Sequence, residues 1–162
     1  MNIVVQDANI LIDLLNAELL DLFFQLPCDN HITDLVLAEI QTPKLSASQK
    51  SKLTSHSLDP TELNEVLGLR QDAHKLSIPD CSVVWLSQQL GLSTILLSGD
   101  SQLRRFAESQ KIKVCGLLWV FDELVNHGYV SPKKMASILQ NSAFRLPHDE
   151  CEKRIEMWKT MK

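Results

Sequence analysis

Residues 77–115 read SIPDCSVVWLSQQLGLSTILLSGDSQLRRFAESQKIKVC. Ser77-Ile78-Pro79-Asp80 opens a helix that runs to about Leu90, with Gly91 at the C′ position. Thr94 to Ser98 is an apolar, β-branched-led run that suits a buried strand. A helix from Asp100 to Gln110 follows, then a short strand, Ile112 to Cys115. Helices and strands alternating at this spacing argue for a parallel sheet covered on both faces.

The flanking sequence extends the pattern in both directions. Upstream, Asn2 to Gln6 is a short β-branched strand ahead of Asp7. From Ala8 the apolar spacing becomes helical, and Ala17 to Leu26 continues as a second helical stretch. His31-Ile32-Thr33 is a short strand feeding a helix from Asp34 to Gln41, ended by Pro43. Lys44 to Lys52 is a loop or weak helix and Leu53 to Leu58 a strand, with a helix from Asp59-Pro60 to about Lys75. Downstream, Gly116 begins a helix ending near His127-Gly128. Two more helices follow, one after Ser131-Pro132 and one from Pro147 to the C-terminus.

The bulk properties narrow the function classes. A chain of 162 residues, 44% hydrophobic and 22% charged with few Gly and Pro, is long enough for one domain with its own core. Its net charge of −4 is unlike that of a protein built mainly to coat nucleic acid. A nuclease that holds cations with its own carboxylates need not be basic, because the metal supplies local positive charge. No apolar run is long enough for a membrane span, and no basic side chain precedes Lys44, as a secretory leader would require. Cys28, Cys81, Cys115 and Cys151 form no paired motif and read as reduced thiols, so the expectation is a cytoplasmic protein without membrane partners.

Four acids stand in suggestive places. Ligands of open parallel sheets bind at the carboxyl ends of strands. Asp7 and Asp100 each follow a strand by a small polar step, and both are also well placed to cap the next helix. Glu39, in Leu35-Val36-Leu37-Ala38-Glu39-Ile40, has apolar neighbours almost all round a helix, so burial would make its charge costly without a cation. Its alternative is a narrow solvated stripe or a basic partner. Asp80, three residues after Ser77, has a capping box as its structural alternative. Carboxylates brought together stay ionised only around a cation, and hard oxygen donors favour Mg²⁺ or Mn²⁺. Such a centre suits phosphodiester hydrolysis.

At these residues the chain resembles the PIN-domain family of metal-dependent ribonucleases. The matching pieces are Val4-Val5-Gln6-Asp7-Ala8-Asn9, Thr33 to Glu39, Leu76 to Asp80, and Ile95 to Arg104, in order over residues 1–128. The resemblance implies a three-layer α/β/α sandwich around a parallel sheet, with a metal site of Asp7, Glu39, Asp80 and Asp100. It also implies that Asn9 and Ser98 support these carboxylates by hydrogen bonding. Gln6 stands where an apolar residue is more usual, and Gly99-Asp100-Ser101 carries one acid where many relatives carry two. Residues 129–162 form a C-terminal helical extension expected to pack on the same domain. Many small relatives are toxins that cut RNA until an antitoxin protein plugs the site, and a homodimer is a further expectation.

The leading expectation is thus a Mg²⁺/Mn²⁺-dependent endoribonuclease. The competing one is a non-catalytic PIN-like module that binds RNA or a protein. A nucleotide-binding sheet is disfavoured by the absence of a G-x-G-x-x-G or phosphate-cradling Gly-Lys loop. Arg104 is a candidate contact to RNA phosphate, with a solvated helix charge as its alternative. Trp85 and Trp119 read as core residues, and no aromatic row suggests base stacking. The histidines share no spacing and receive no role. On the last helix, Cys151, Ile155, Trp158 and Lys162 share one face, expected to fold back on the domain, with a partner's surface as its alternative.

Overall fold

The computed structural model describes residues 1–73 and 75–161. Five parallel strands form one sheet: β1 (Asn2–Gln6), β2 (Cys28–Thr33), β3 (Thr54–His56), β4 (Thr94–Leu97) and β5 (Lys113–Cys115). Their order in space is β3-β2-β1-β4-β5. The chain moves outward from β1 to β3, returns to β1's other side, and moves outward again, so strand order reverses between β1 and β4. The crevice outside such a reversal is where open α/β sheets bind ligands.

Helices flank the sheet: α1 (Ala8–Asn16), α2 (Leu20–Phe23), α3 (Asp34–Leu37), α4 (Ala47–Ser51), α5 (Pro60–Asp72), α6 (Ile78–Leu90), α7 (Ser101–Ser109) and α8 (Leu117–Asn126). The expected α/β sandwich around a parallel sheet is present. Val4, Val5, Leu96 and Leu97 are fully buried, as strands covered on both faces require. The buried helix α6 lies across β1, β2 and β4. Its Ser82 Oγ shares a 2.8 Å hydrogen bond with Thr33 Oγ1 at the end of β2. Within the sheet, Gln6 Nε2 donates to Asn30 Oδ1 at 2.8 Å, which satisfies the amide nitrogen of the polar residue buried before Asp7, while its Oε1 has no partner among the described residues.

Several boundaries differ from expectation for identifiable reasons. The second helical stretch does not run from Ala17 to Leu26, because α1 closes in a Schellman turn. Glu18 is left-handed (φ 58°), with Leu19 N–H bonded to Leu14 O and Glu18 N–H to Leu15 O, leaving only Leu20–Phe23 for α2. The same 6→1 and 5→2 bonds end α7 at Lys111 and α8 at Gly128, where φ is 75°. Strand β2 is longer than His31–Thr33, since Asn30 is satisfied within the sheet rather than in a turn. The helix expected from Asp34 to Gln41 ends at Leu37. Beyond it Glu39 N–H and Ile40 N–H bond three residues back, to Val36 O and Leu37 O, and Ile40 is tucked into the core.

Two helices complete the chain, α9 (Pro132–Asn141) and α10 (His148–Thr160), packed on each other. Trp158 of α10 is 1% exposed and belongs to the buried hydrophobic cluster. Arg154 reaches α8, donating through Nε and Nη2 to the Asp122 carboxylate at 3.0–3.2 Å. Lys162, expected on the same face, and His74, expected near the end of α5, lie outside the described residues. At the other edge of the sheet, His31 Nδ1 and His56 Nε2 lie 2.8 Å apart with their rings stacked, and Asp29 Oδ2 lies 2.9 Å from His31 Nε2. No described helix is long and apolar enough to cross a membrane.

Candidate functional site

Each of the four acids is placed by a different local rule. Asp7 follows β1 directly and occupies the N-cap position of α1, yet its carboxylate makes no cap hydrogen bond. It accepts instead from Ser98 Oγ at 2.9 Å, across the reversal from the end of β4. Ser98 Oγ in turn accepts from the Asp100 backbone N–H at 3.1 Å. Asp100 does cap its helix, Oδ1 receiving Gln102 N–H at 2.8 Å and Leu103 N–H at 3.0 Å. Asp80 sits in the expected capping box: its N–H donates to Ser77 Oγ at 3.1 Å, and its Oδ2 accepts Ser77 N–H at 3.4 Å. Capping and site-building are therefore not exclusive, because a cap uses one carboxylate oxygen and leaves the other side of the group free.

Glu39 is not where its apolar neighbours suggest. With α3 ending at Leu37, it stands on an exposed turn rather than inside a buried helix. It nevertheless faces the other acids. Desolvation and then the Asp80 charge raise the Glu39 carboxyl above its usual range. Asp80 is raised by burial and, more weakly, by Asp100. Asp7 is the most perturbed: only 5% exposed, its carboxyl is pushed up to about 6, chiefly by burial, with Asp80 and Glu39 adding repulsion against the Ser98 hydrogen bond. The charges of Asp80 and Glu39 act on Asp7, and that of Asp100 acts on Asp80, and none of the four acids forms a salt bridge among the described residues.

The remaining candidates are distributed as follows. Asn9 is exposed on the first turn of α1, and the side chain that reaches Asp7 is Ser98. Arg104, half-buried on α7, lies against Gly116 at the start of α8. A Cβ on Gly116 would meet Arg104 Nη1 at 3.4 Å, an ordinary van der Waals contact. Trp85 is buried as expected, with Nε1–H donating to Glu65 Oε2 at 2.7 Å. Trp119 is half-buried: it packs against the core, as expected, and also lines a groove.

A comparison with known protein families matches residues 3–160 to DUF3368, described as a PIN domain. The chain belongs to the PIN-domain family. No curated protein matches it. The family match continues through α9 and α10, so these helices lie within the matched span of this PIN domain. PIN domains as a family are typically metal-dependent. The donor chemistry here fits a hard divalent cation: carboxylate oxygens, those of Asp7, Glu39 and Asp80 partly desolvated, with no basic side chain among the described residues paired to them. In their present rotamers, no three or more His, Cys, Asp or Glu side chains among the described residues converge closely enough to hold a metal ion.

Proposed function

We propose that this PIN domain is a Mg²⁺/Mn²⁺-dependent endoribonuclease that hydrolyses RNA phosphodiester bonds. The observation that carries this reading is Asp7, a nearly buried carboxylate raised to about 6 beside two further acids, at the crevice where strand order reverses. Burying such a group unpaired costs stability, and cation binding would remove that cost. Asp7, Glu39, Asp80 and Asp100 would hold the metal, which when bound supplies Lewis-acid activation of water and charge stabilisation at phosphorus.

The residues of this chain then have separate roles. Ser98 orients Asp7 by donating to one oxygen and is itself oriented by the Asp100 amide. Ser77 and the first amides of α7 each engage one oxygen of Asp80 and of Asp100 in a cap, so the side chains must close in from their present open spacing when a cation binds. In the toxin form of this reading, an antitoxin protein would cover the acid-lined edge.

A second reading, a non-catalytic module that binds RNA or protein, is favoured by the open spacing of the acids in their present rotamers. Mn²⁺ titration by calorimetry on wild type and Asp80→Asn, with single-stranded RNA cleavage on the same samples, separates the two. Binding and cleavage that both vanish in the variant support the enzyme. A folded wild type that neither binds Mn²⁺ nor cleaves RNA refutes it.

A further inference from the structure

Next to the acids, a groove of about 540 Å³ runs between α7, the start of α8 and the segment leading into α10. Gly99 and Ser101, on either side of Asp100, form one end of it, and Arg145 and Pro147 line it from the C-terminal segment. We propose that this groove is the seat of single-stranded RNA, and that Arg145 and Trp119 position the strand while its scissile phosphate lies at Asp100. The choice of occupant rests on the ribonuclease reading; the groove itself does not depend on cleavage.

Charge and shape select the occupant. Four arginines line the groove: Arg104, Arg105, Arg145 and Arg154. Arg154 is neutralised by Asp122, and the other three enter no salt bridge among the described residues. Glu108 and Glu150 also line it, so the positive surplus in the groove is small, against a net charge of −4 for the chain. A guanidinium fork matches two phosphate oxygens, which suits a repeating phosphate backbone better than a point charge would. Between the arginines lie Leu146 and the half-buried indole of Trp119, an apolar step on which one base can stack. Arg104, beside Gly116, lines the same groove. The C-terminal helices thereby serve the groove, holding one of its walls in place through Trp158 and the Arg154–Asp122 pair.

The test is fluorescence anisotropy of a fluorescein-labelled single-stranded RNA dodecamer in EDTA, over a series of KCl concentrations, with the full chain. Arg145→Ala is expected to weaken binding about tenfold and to lower the slope of log affinity against log salt by about 1. Trp119→Leu is expected to weaken binding at least about fivefold without changing that slope. Lys134→Ala, on α9 away from the groove, is expected to bind as wild type does. Arg145 is exposed, so its variant keeps the fold even if Trp119→Leu does not. Unchanged affinity and slope in Arg145→Ala, or a wild type with no affinity for the RNA, overturn the proposal. A wild type that binds through Arg145 yet never cleaves with Mn²⁺ removes the ribonuclease reading and leaves the groove. Cleavage and binding that are indifferent to Arg145→Ala do the reverse.

Discussion

Ser98 Oγ donates to Asp7 Oδ2 at 2.9 Å, joining the ends of β1 and β4 across ninety-one positions of sequence. The same hydroxyl accepts from the Asp100 amide, so one side chain sets the relative position of two acids. Ser98→Ala strips a buried carboxylate of its donor. Stability is expected to fall by about 1–3 kcal/mol in urea unfolding. Mn²⁺ affinity is expected to fall about 10–100-fold by calorimetry. Ser98→Thr keeps the hydroxyl and should retain most of both.

Asp7 predicts an unusual response to acid. Its carboxyl titrates at about 6 in the native state against 3.8 as a free side chain. Between those values the native state holds a proton that the unfolded chain has released, so this group's contribution favours folding as pH falls from 6 to 4. Above pH 6 the ionised group costs about 3 kcal/mol. Asp7→Asn, in EDTA, is therefore expected to be more stable than wild type at pH 7 by roughly 1–3 kcal/mol, with the advantage vanishing near pH 4. His56 acts oppositely: burial and His31 lower its pKa, so its contribution is lost as pH falls below about 6.5. Only the difference between variant and wild type isolates Asp7. An advantage that does not shrink on acidification would contradict the assignment.

Asp80→Asn should separate function from fold. Asparagine still accepts from Ser77 N–H, and the capping box survives while one negative charge leaves the cluster. Unfolding free energy is expected to change by no more than about 0.5 kcal/mol. RNA cleavage is expected to drop to the background without enzyme. Full activity in this variant would remove Asp80 from the site.

The C-terminal helix should behave as part of the domain. Trp158→Ala empties a fully enclosed position and is expected to cost about 3–5 kcal/mol by denaturant unfolding. Arg154→Ala breaks a partly exposed pair with Asp122 and is expected to cost only about 1 kcal/mol. A Trp158→Ala protein as stable as wild type would mean that α10 contributes nothing to the core.

What could be read from residues alone follows from how local each signal is. Strands β1 and β4 are short apolar runs with an acid just beyond, and alternation plus the carboxyl-end rule suffices to bring Asp7 and Asp100 to one edge. Capping signatures at Ser77 and Asp59 are equally local, and both boxes form. Glu39 faces the acids from a turn rather than from a buried helix, since apolar neighbours in a row do not show where a helix stops. What stops α3 is the burial of Ile40, a tertiary event. Trp119 sits among apolar residues of α8 and does pack against the core, but no local pattern shows that it also lines the groove. Arg145 lies in a segment without periodicity, where nothing in the chain indicates direction. Only the folded chain shows that it lines the groove with α7 and the start of α8.

The spatial order of the strands also sets a clock. β1 is made first, but its neighbour β4 and the acid beyond it are made last among the parts of the site, after residue 94. At about 5–20 residues per second, some 5–20 s separate the synthesis of Asp7 from that of Asp100. Until then the central strand has one open flank and Asp7 has no Ser98 to hold it. Whatever these acids do to RNA, a nascent chain cannot do it while its first hundred residues are still being made.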